Sequence, residues 1–380
     1  MQLSLFTPSC KGVVPSFIQT VLDADATLAV SVSGGKDSDA MLRYLASKRC
    51  SEQWSNEMFA LFCDLGRIEW PGVEEHLRKI CTELAVPLHK RYPNRSMVDE
   101  WQHRQETILS KQQDKPFWSS ASARYCTKHE KTQPADKMLR GYDFVVCAVG
   151  LRAEESSARA RKPRYQVRND IASVWYKTPA THRTADEKEQ WAEQAYHNWL
   201  KAGKKGRFAL SWHPIHHWSL EDVWQTNGTS CKDVTRRVCL YQSGSIKEAL
   251  SDFPCHWAYV AGNARLSCAL CVLGSHHDIL NGAHHNPWTW AELALMEVTS
   301  GWSFQQSRWL ASLSSEVLSS SLAKRQQLFK TLRHLGLVRP VGSLFLLSLM
   351  CSCELAQLLF WTDKAVLVIA RLVSQHLPAS

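Results

Sequence analysis

Apolar residues in this chain fall into short unbroken runs separated by stretches with helical spacing, and that alternation sets the expected fold. Thr27-Leu28-Ala29-Val30-Ser31-Val32, Met58-Phe59-Ala60-Leu61-Phe62-Cys63 and Tyr142-Asp143-Phe144-Val145-Val146-Cys147-Ala148-Val149 have the length and near-continuous apolar character of strands buried on both faces. Pro87 to Tyr92 and Phe208 to Trp212 predict two further strands. Between them, Met41, Leu42 and Leu45 mark one face of a helix over 39–49. A second helix is expected over 73–84, and a third over 127–139, where Pro134 kinks or divides it. Strands alternating with helices argue for an α/β fold with a doubly wound, mainly parallel sheet. Ligands of such sheets bind beyond the carboxyl ends of strands, which is where Ser33 to Ser38, Asp64 and Gly150 to Arg152 fall.

From Arg161 to Arg207 the pattern turns polar and basic and reads as a helical insertion. Thr184-Ala185-Asp186-Glu187 forms a capping box and Gly203 supplies a stop. Trp191, Ala195 and Trp199 recur at helical spacing between them, a stripe expected to be core. Ser219-Leu220-Glu221-Asp222 opens another capped helix. Beyond about Leu313 the chain becomes Ser- and Leu-rich without clear domain logic, either a helical C-terminal appendage or a tail altered by a reading-frame change. The expected organisation is a nucleotide-binding core over 1–160, a basic insertion over 161–206, the rest of the domain over 207–313 and the appendage over 314–380.

Composition narrows the class. With 380 residues, 44% hydrophobic and 21% charged, the chain is neither disordered nor fibrous and can bury a full core. The net charge of +9 is uneven: 13 Lys and Arg stand against 7 Asp and Glu between Arg152 and Arg207. That excess fits either an anionic partner, nucleic acid included, or a solvated basic face. Thirteen cysteines, an odd number spread along a chain too large to need disulfide staples, are expected to be reduced in a cytoplasmic protein. No Lys or Arg precedes residue 11, so no secretory signal is expected. The longest charge-free apolar run, Pro340 to Cys353, has 14 residues and is short for a membrane span, so no membrane partner is expected.

The candidate chemistry begins at Ser33-Gly34-Gly35-Lys36-Asp37-Ser38, directly after the first strand. Two glycines let the backbone turn sharply and approach an anion, and a helix starting near Ser38 aims its free N–H groups and positive dipole end at the same point. A Walker A loop is excluded, because it requires Gly at Val30 and Ser or Thr at Asp37. The stretch resembles instead the PP-loop, the pyrophosphate cradle of the ATP pyrophosphatase superfamily.

Three later stretches extend the resemblance: Asp64-Leu65-Gly66-Arg67-Ile68-Glu69-Trp70-Pro71; Gly150-Leu151-Arg152-Ala153-Glu154-Glu155-Ser156-Ser157-Ala158-Arg159; and His213-Pro214-Ile215-His216-His217-Trp218-Ser219-Leu220-Glu221-Asp222-Val223-Trp224. Together the four, over roughly residues 20 to 310, resemble the phosphoadenosine phosphosulfate (PAPS) reductase family of that superfamily. The resemblance implies a Rossmann-like sheet related to adenine nucleotide α-hydrolases, and a substrate of ATP or an adenylyl sulfate. Ser33, Gly34, Gly35, Lys36, Asp37 and Ser38 would cradle phosphates, with Ser33 and Ser38 donating hydroxyl bonds and Lys36 neutralising charge. Asp64 and Gly150 would line the same site. Arg152 and Arg159 would grip phosphate or sulfate, oriented by Glu155 and Ser156. Lys36, Asp37 and Arg152 are the expected catalytic residues. Asp37 and Asp39 would face Mg²⁺ or solvent, the Mg²⁺ bridging phosphates because few protein ligands lie nearby.

The implied reaction is adenylation with pyrophosphate release, followed by attack of a sulfur donor, with nucleic acid among the acceptors. The alternatives are reduction of PAPS or adenylyl sulfate to sulfite by a thiol reductant, and a non-catalytic nucleotide-binding subunit of a modification or defence complex. The Cys-Gly-x-His motif of the sulfonucleotide reductases is absent; Cys351 and Cys353 stand in Cys-Ser-Cys-Glu. One C-x-x-C, Cys268 to Cys271, follows Cys239 and Cys255, and thiolates so spaced chelate zinc or one iron of a cluster. The segment also resembles the cysteine-rich part of the DNA sulfur-modification branch, which carries an iron–sulfur cluster. Cys255, Cys268 and Cys271 with either Cys239 or His277 make the best set; buried structural cysteines are the alternative. No role is assigned to His216-His217 or His284-His285.

Overall fold

The computed structural model describes residues 12–306 and 308–313. They belong to two compact units: one formed by residues up to Leu65, Pro71–Asn94 and Cys126–Ser267, the other by Gly66–Trp70, Arg95–Tyr125 and residues from Cys268 onward. The appendage expected over 314–380, with Cys351 and Cys353, lies outside the described residues.

The first unit is built on a six-stranded sheet. In chain order it runs α1 (Ser16–Asp23), β1 (Thr27–Val32), α2 (Lys36–Ser51), β2 (Met58–Cys63), α3 (Val73–Glu83), β3 (Leu88–Arg91), α4 (Gln133–Leu139), β4 (Phe144–Val149), β5 (Tyr165–Val167), α5 (Ala185–Lys201), β6 (Phe208–Trp212), α6 (Leu220–Thr226) and α7 (Cys231–Gln242). The strand order is β3-β2-β1-β4-β6-β5. Every pairing is parallel except β5 with β6. The chain winds outward from β1 through β2 to β3, then crosses to the other side of β1 to lay down β4, so the winding reverses between β1 and β4. Registers Val32 with Phe62 and Ser31 with Val149 bring the ends of β1, β2 and β4 level. The loops after these strands therefore open at one edge.

The α/β reading and five of the six strands were legible in the apolar runs. The exception is β5, three residues inside the segment expected to be helical. Tyr165 and Val167 are buried on either side of a half-buried Gln166, too short an alternation to register as a period of two. The helix expected over 127–139 runs without a break from Tyr125 to Leu139, widened by a π turn over Lys128–Thr132 immediately before Pro134.

Both faces of the sheet are covered. Leu139, Ala135 and Met138 of α4 pack on Ala29, Phe59, Leu61, Val145, Cys147 and Ala209. Across the sheet, Tyr196 and Trp199 of α5 stack against Phe144 and Phe208. The capping box at Thr184 forms, Ala195 and Trp199 are buried as the stripe requires, and half-buried Trp191 donates its Nε1–H to Tyr176 O at 3.1 Å.

The second unit is helical, with helices over Met97–Ser110, His276–His285 and Pro287–Ser300. Ser96 and Ser275 cap the first two. Trp101, Trp118 and Phe304 meet edge to face. Fully buried Glu297 accepts from the N–H groups of Phe304, Leu310 and Ala311 at 2.6, 3.0 and 3.0 Å, fixing the turn that follows the last helix. No helix among the described residues is long and apolar enough to cross a membrane.

Candidate functional site

The site grows from the turn after β1. Gly34 takes φ +69°, open to glycine at no steric cost, and a Cβ there would stand 3.0 Å from Val73 Cγ1. Gly35 is the N-cap of α2, extended and without a side chain to cap the helix, so α2 turns its first N–H groups toward the mouth of the sheet. Ser38 closes the turn: its Oγ donates to Gly35 O at 2.8 Å and accepts from Ser33 N at 3.2 Å. Gly150, at the end of β4, lies against the same turn. A Cβ there would meet Asp37 O at 3.2 Å and Ser38 Cα at 3.3 Å, so glycine is what allows the β1 and β4 loops to touch at the switch point.

Charge is fixed within this cradle. Lys36 is 6% exposed. Its Nζ pairs with Asp37 at 3.0 Å, donates to Ala264 O at 3.3 Å and lies 5.3 and 5.9 Å from the ring centroids of Tyr259 and Trp224. Its backbone is held at both ends, N–H donating to Tyr259 Oη at 2.9 Å and C=O accepting from Asn227 at 2.8 Å. Arg152 is buried, with Nε 2.5 Å from Asp37 Oδ1 and its guanidinium also paired with Glu154. Burial alone would raise the Asp37 carboxyl, but Lys36 and Arg152 beside it hold it below the usual carboxylate range.

Glu155 organises the second cation. Its carboxylate accepts from Arg152 N at 3.2 Å, pairs with Arg159 and lies 3.9 Å from Arg265. Ser156 caps the turn that carries Arg159, accepting from its N–H at 3.3 Å. Asp64, at the end of β2, is paired with Lys90 at 2.7 Å.

Asp39 departs from expectation. It is 1% exposed and turned toward α3, where His76 Nε2–H donates to its Oδ2 at 2.7 Å, so it does not face solvent. Two other histidines are buried close by in sequence to the site motifs. His213 donates from Nδ1 to Pro163 O at 2.7 Å and His256 from Nε2 to Pro71 O at 3.0 Å; burial pushes both down to about 4.

The four cysteines divide between the two units. Among the described residues, no three His, Cys, Asp or Glu side chains stand where they could hold a metal ion. Cys239 is exposed on α7; Cys268 and Cys271, like His277, belong to the other unit. Cys255 is buried beside Trp224 and Tyr259, and burial drives its thiol well above the ordinary range.

Tyr259, Asn227 and the carbonyl of Ala264 were not singled out from sequence. They lie 191 to 228 residues from Lys36, and no local spacing could have flagged them. A cleft of about 380 Å³ lies elsewhere, between β5 and residues 168–182, and none of its lining residues belongs to the phosphate turn.

The family model described as the phosphoadenosine phosphosulfate reductase domain matches residues 27–244. No curated protein matches the chain. Among solved structures, the phosphate complex of phosphoadenylyl-sulfate (PAPS) reductase from Candida auris aligns at 15% identity over 55% of this chain and 77% of that one, with a TM-score of 0.30. The U34-tRNA thiolase NcsA from Methanococcus maripaludis with its 4Fe-4S cluster aligns at 13% identity over 65% and 76%, with a TM-score of 0.32.

Proposed function

Because the chain belongs to the phosphoadenosine phosphosulfate reductase domain family, we propose that it binds ATP between the carboxyl ends of β1 and β4 and activates a substrate by adenylation for sulfur transfer. The observation that carries this reading is the turn Ser33–Ser38, an anion cradle where a helix starts on a glycine with no side chain to cap it, and where buried Lys36 and buried Arg152 meet on Asp37. The N–H groups of Asp37 and Ser38 and the hydroxyl of Ser33 donate to the terminal phosphates, Ser38 Oγ being committed to Gly35 O and the Lys36 N–H to Tyr259, and Lys36 carries their charge. A substrate oxygen attacks the α-phosphorus, its bond to the bridging oxygen breaks, and pyrophosphate leaves with the electron pair into the turn. A thiolate or persulfide donor then displaces AMP. Catalysis rests on position and on fixed charge near the departing phosphates.

Asp37 acts through its neighbours. Its carboxylate already accepts from Lys36 and Arg152, so it orients both cations rather than moving a proton. Asp37, Asp39 and Asp64 each carry a partner, so a Mg²⁺ arriving with the nucleotide would take most of its ligands from phosphate oxygens and water. Reduction to sulfite through Cys255 is disfavoured, because a thiol raised by burial is the opposite of an activated nucleophile.

The test is calorimetric binding of ATP and PAPS in parallel to anaerobically purified protein, with Lys36→Ala as control. ATP is expected to bind preferentially, about a hundredfold more weakly in the variant, with pyrophosphate released once an acceptor is supplied. Preference for PAPS with sulfite production would replace adenylation by reduction. ATP binding without turnover for any acceptor would leave a nucleotide-binding subunit.

A further inference from the structure

One surface of the first unit joins large exposed apolar side chains to cations that pair with no carboxylate among the described residues. Val174 and Trp175 are 70% and 64% exposed, yet the turn that presents them, Val174–Tyr176, is firmly anchored. Tyr176 is buried and its hydroxyl donates to Lys205 O at 2.8 Å. Ser173 N donates to Arg207 O and Arg207 N to Ser173 Oγ, both at 2.9 Å. Opposite lies the tip Gly203-Lys204-Lys205-Gly206, folded back by positive φ at Gly203, Lys204 and Gly206. A Cβ on Gly206 would stand 2.7 Å from Ser173 Oγ and 3.4 Å from Trp175 Cζ3, so glycine at this position leaves room for the indole.

The charge around this ring is one-sided. Lys177, Lys204 and Lys205 are exposed, and Lys205 Nζ lies 5.9 Å from the Trp175 ring centroid. None of the three pairs with a carboxylate among the described residues, whereas Arg164 and Arg168, in the same basic stretch, pair with Glu189 and Asp136. The patch sits at the amino end of β6, beside Phe208, while the phosphate turn lies at the carboxyl ends of β1 and β4. It is therefore a separate surface.

We propose that it binds single-stranded nucleic acid. An exposed, rigidly presented indole offers a π-face on which an unpaired base can stack, and the lysines beside it meet the phosphates on either side. Charge complementarity alone would also suit an acidic protein. The exposed Trp175 ring beside Lys205 is what favours a partner carrying both phosphates and flat bases. The proposal stands whichever nucleotide occupies the phosphate turn.

The test uses the full chain and fluorescence anisotropy with a labelled single-stranded oligonucleotide, its duplex and a polyglutamate peptide, at low and moderate salt. The single strand should bind more tightly than the duplex or the peptide. Trp175→Ala should weaken single-strand binding about tenfold without changing ATP binding, and Lys36→Ala should bind the strand as the wild type does. Lys204→Ala with Lys205→Ala should lower the log–log salt slope by about 1.4. Circular dichroism confirms that each variant is folded. No single-strand binding at low salt, unchanged binding by Trp175→Ala, or equal affinity for polyglutamate would each overturn the proposal.

Discussion

The phosphate turn and the Trp175 surface both concentrate positive charge, but they hold it in opposite ways. At the turn the cations are enclosed: Lys36 and Arg152 share Asp37, and Arg152 also carries Glu154. At the Trp175 surface Lys177, Lys204 and Lys205 extend into solvent without a carboxylate partner among the described residues. Enclosed charge is bound up with the fold, since removing one partner strands the others in a poorly solvated place. Exposed charge is nearly free of the fold and expresses itself only when an anion arrives. The same residue types thus serve geometry in one region and adaptable attraction in the other.

The sharpest way to break this contrast is Arg152→Ala. It leaves Asp37 with Lys36 alone, leaves Glu154 only the Leu220 N–H, and removes the guanidinium that touches the Trp218 carbonyl at 3.5 Å. A loss of about 3 kcal/mol in urea unfolding is expected, together with loss of nucleotide binding. A change below about 1 kcal/mol would mean that the pair is solvated and that the turn is no more rigid than the outer surface.

Acid provides a second probe. His213 and His256 are held neutral by burial, each donating to a backbone carbonyl, with folded values near 4 against about 6.5 for a free imidazole. The unfolded chain binds these protons first. Their contribution is therefore complete above pH 6.5 and is lost as pH falls from there toward 4, by up to about 3 kcal/mol for each site. His213→Gln should flatten its share of that slope when unfolding free energy is measured between pH 7 and 4. An unchanged slope would show that His213 protonates freely in the folded chain.

Legibility from sequence followed locality. The turn Ser33–Ser38 and the strand ends at Asp64 and Gly150 could be read because a buried strand is a run of apolar residues and its loop chemistry comes immediately after it. The Thr184 capping box and the Trp199 stripe were legible for the same reason. Tyr259 and Asn227, which lock the backbone of Lys36, were not, because they act across about two hundred residues of chain with no spacing rule. Asp39 was misplaced for a related reason. Its position beside the turn suggested solvent, and only the packing of α3 shows that its carboxylate belongs to His76. For the cysteines, C-x-x-C spacing describes what two thiolates can do, while a centre needs further ligands brought in by the fold, which no local spacing states.

The smallest expected effect separates the two regions most cleanly. Lys204→Glu with Lys205→Glu places two carboxylates at the tip of the Gly203–Gly206 turn, where both lysines are exposed and unpaired among the described residues. The bond from Tyr176 Oη to the Lys205 carbonyl does not depend on the Lys205 side chain, and what is lost is the contact of Lys205 with the exposed Trp175 ring and of Lys204 with the buried Trp199 ring. Unfolding free energy should move by no more than about 0.5 kcal/mol, and ATP affinity should be unchanged because the turn lies at the opposite strand ends. Oligonucleotide binding, in contrast, should collapse, since two attractions become two repulsions at the phosphate contacts. A variant that unfolds, or one that keeps its oligonucleotide affinity, would show that charge at this surface serves the fold after all, and the contrast with the phosphate turn would disappear.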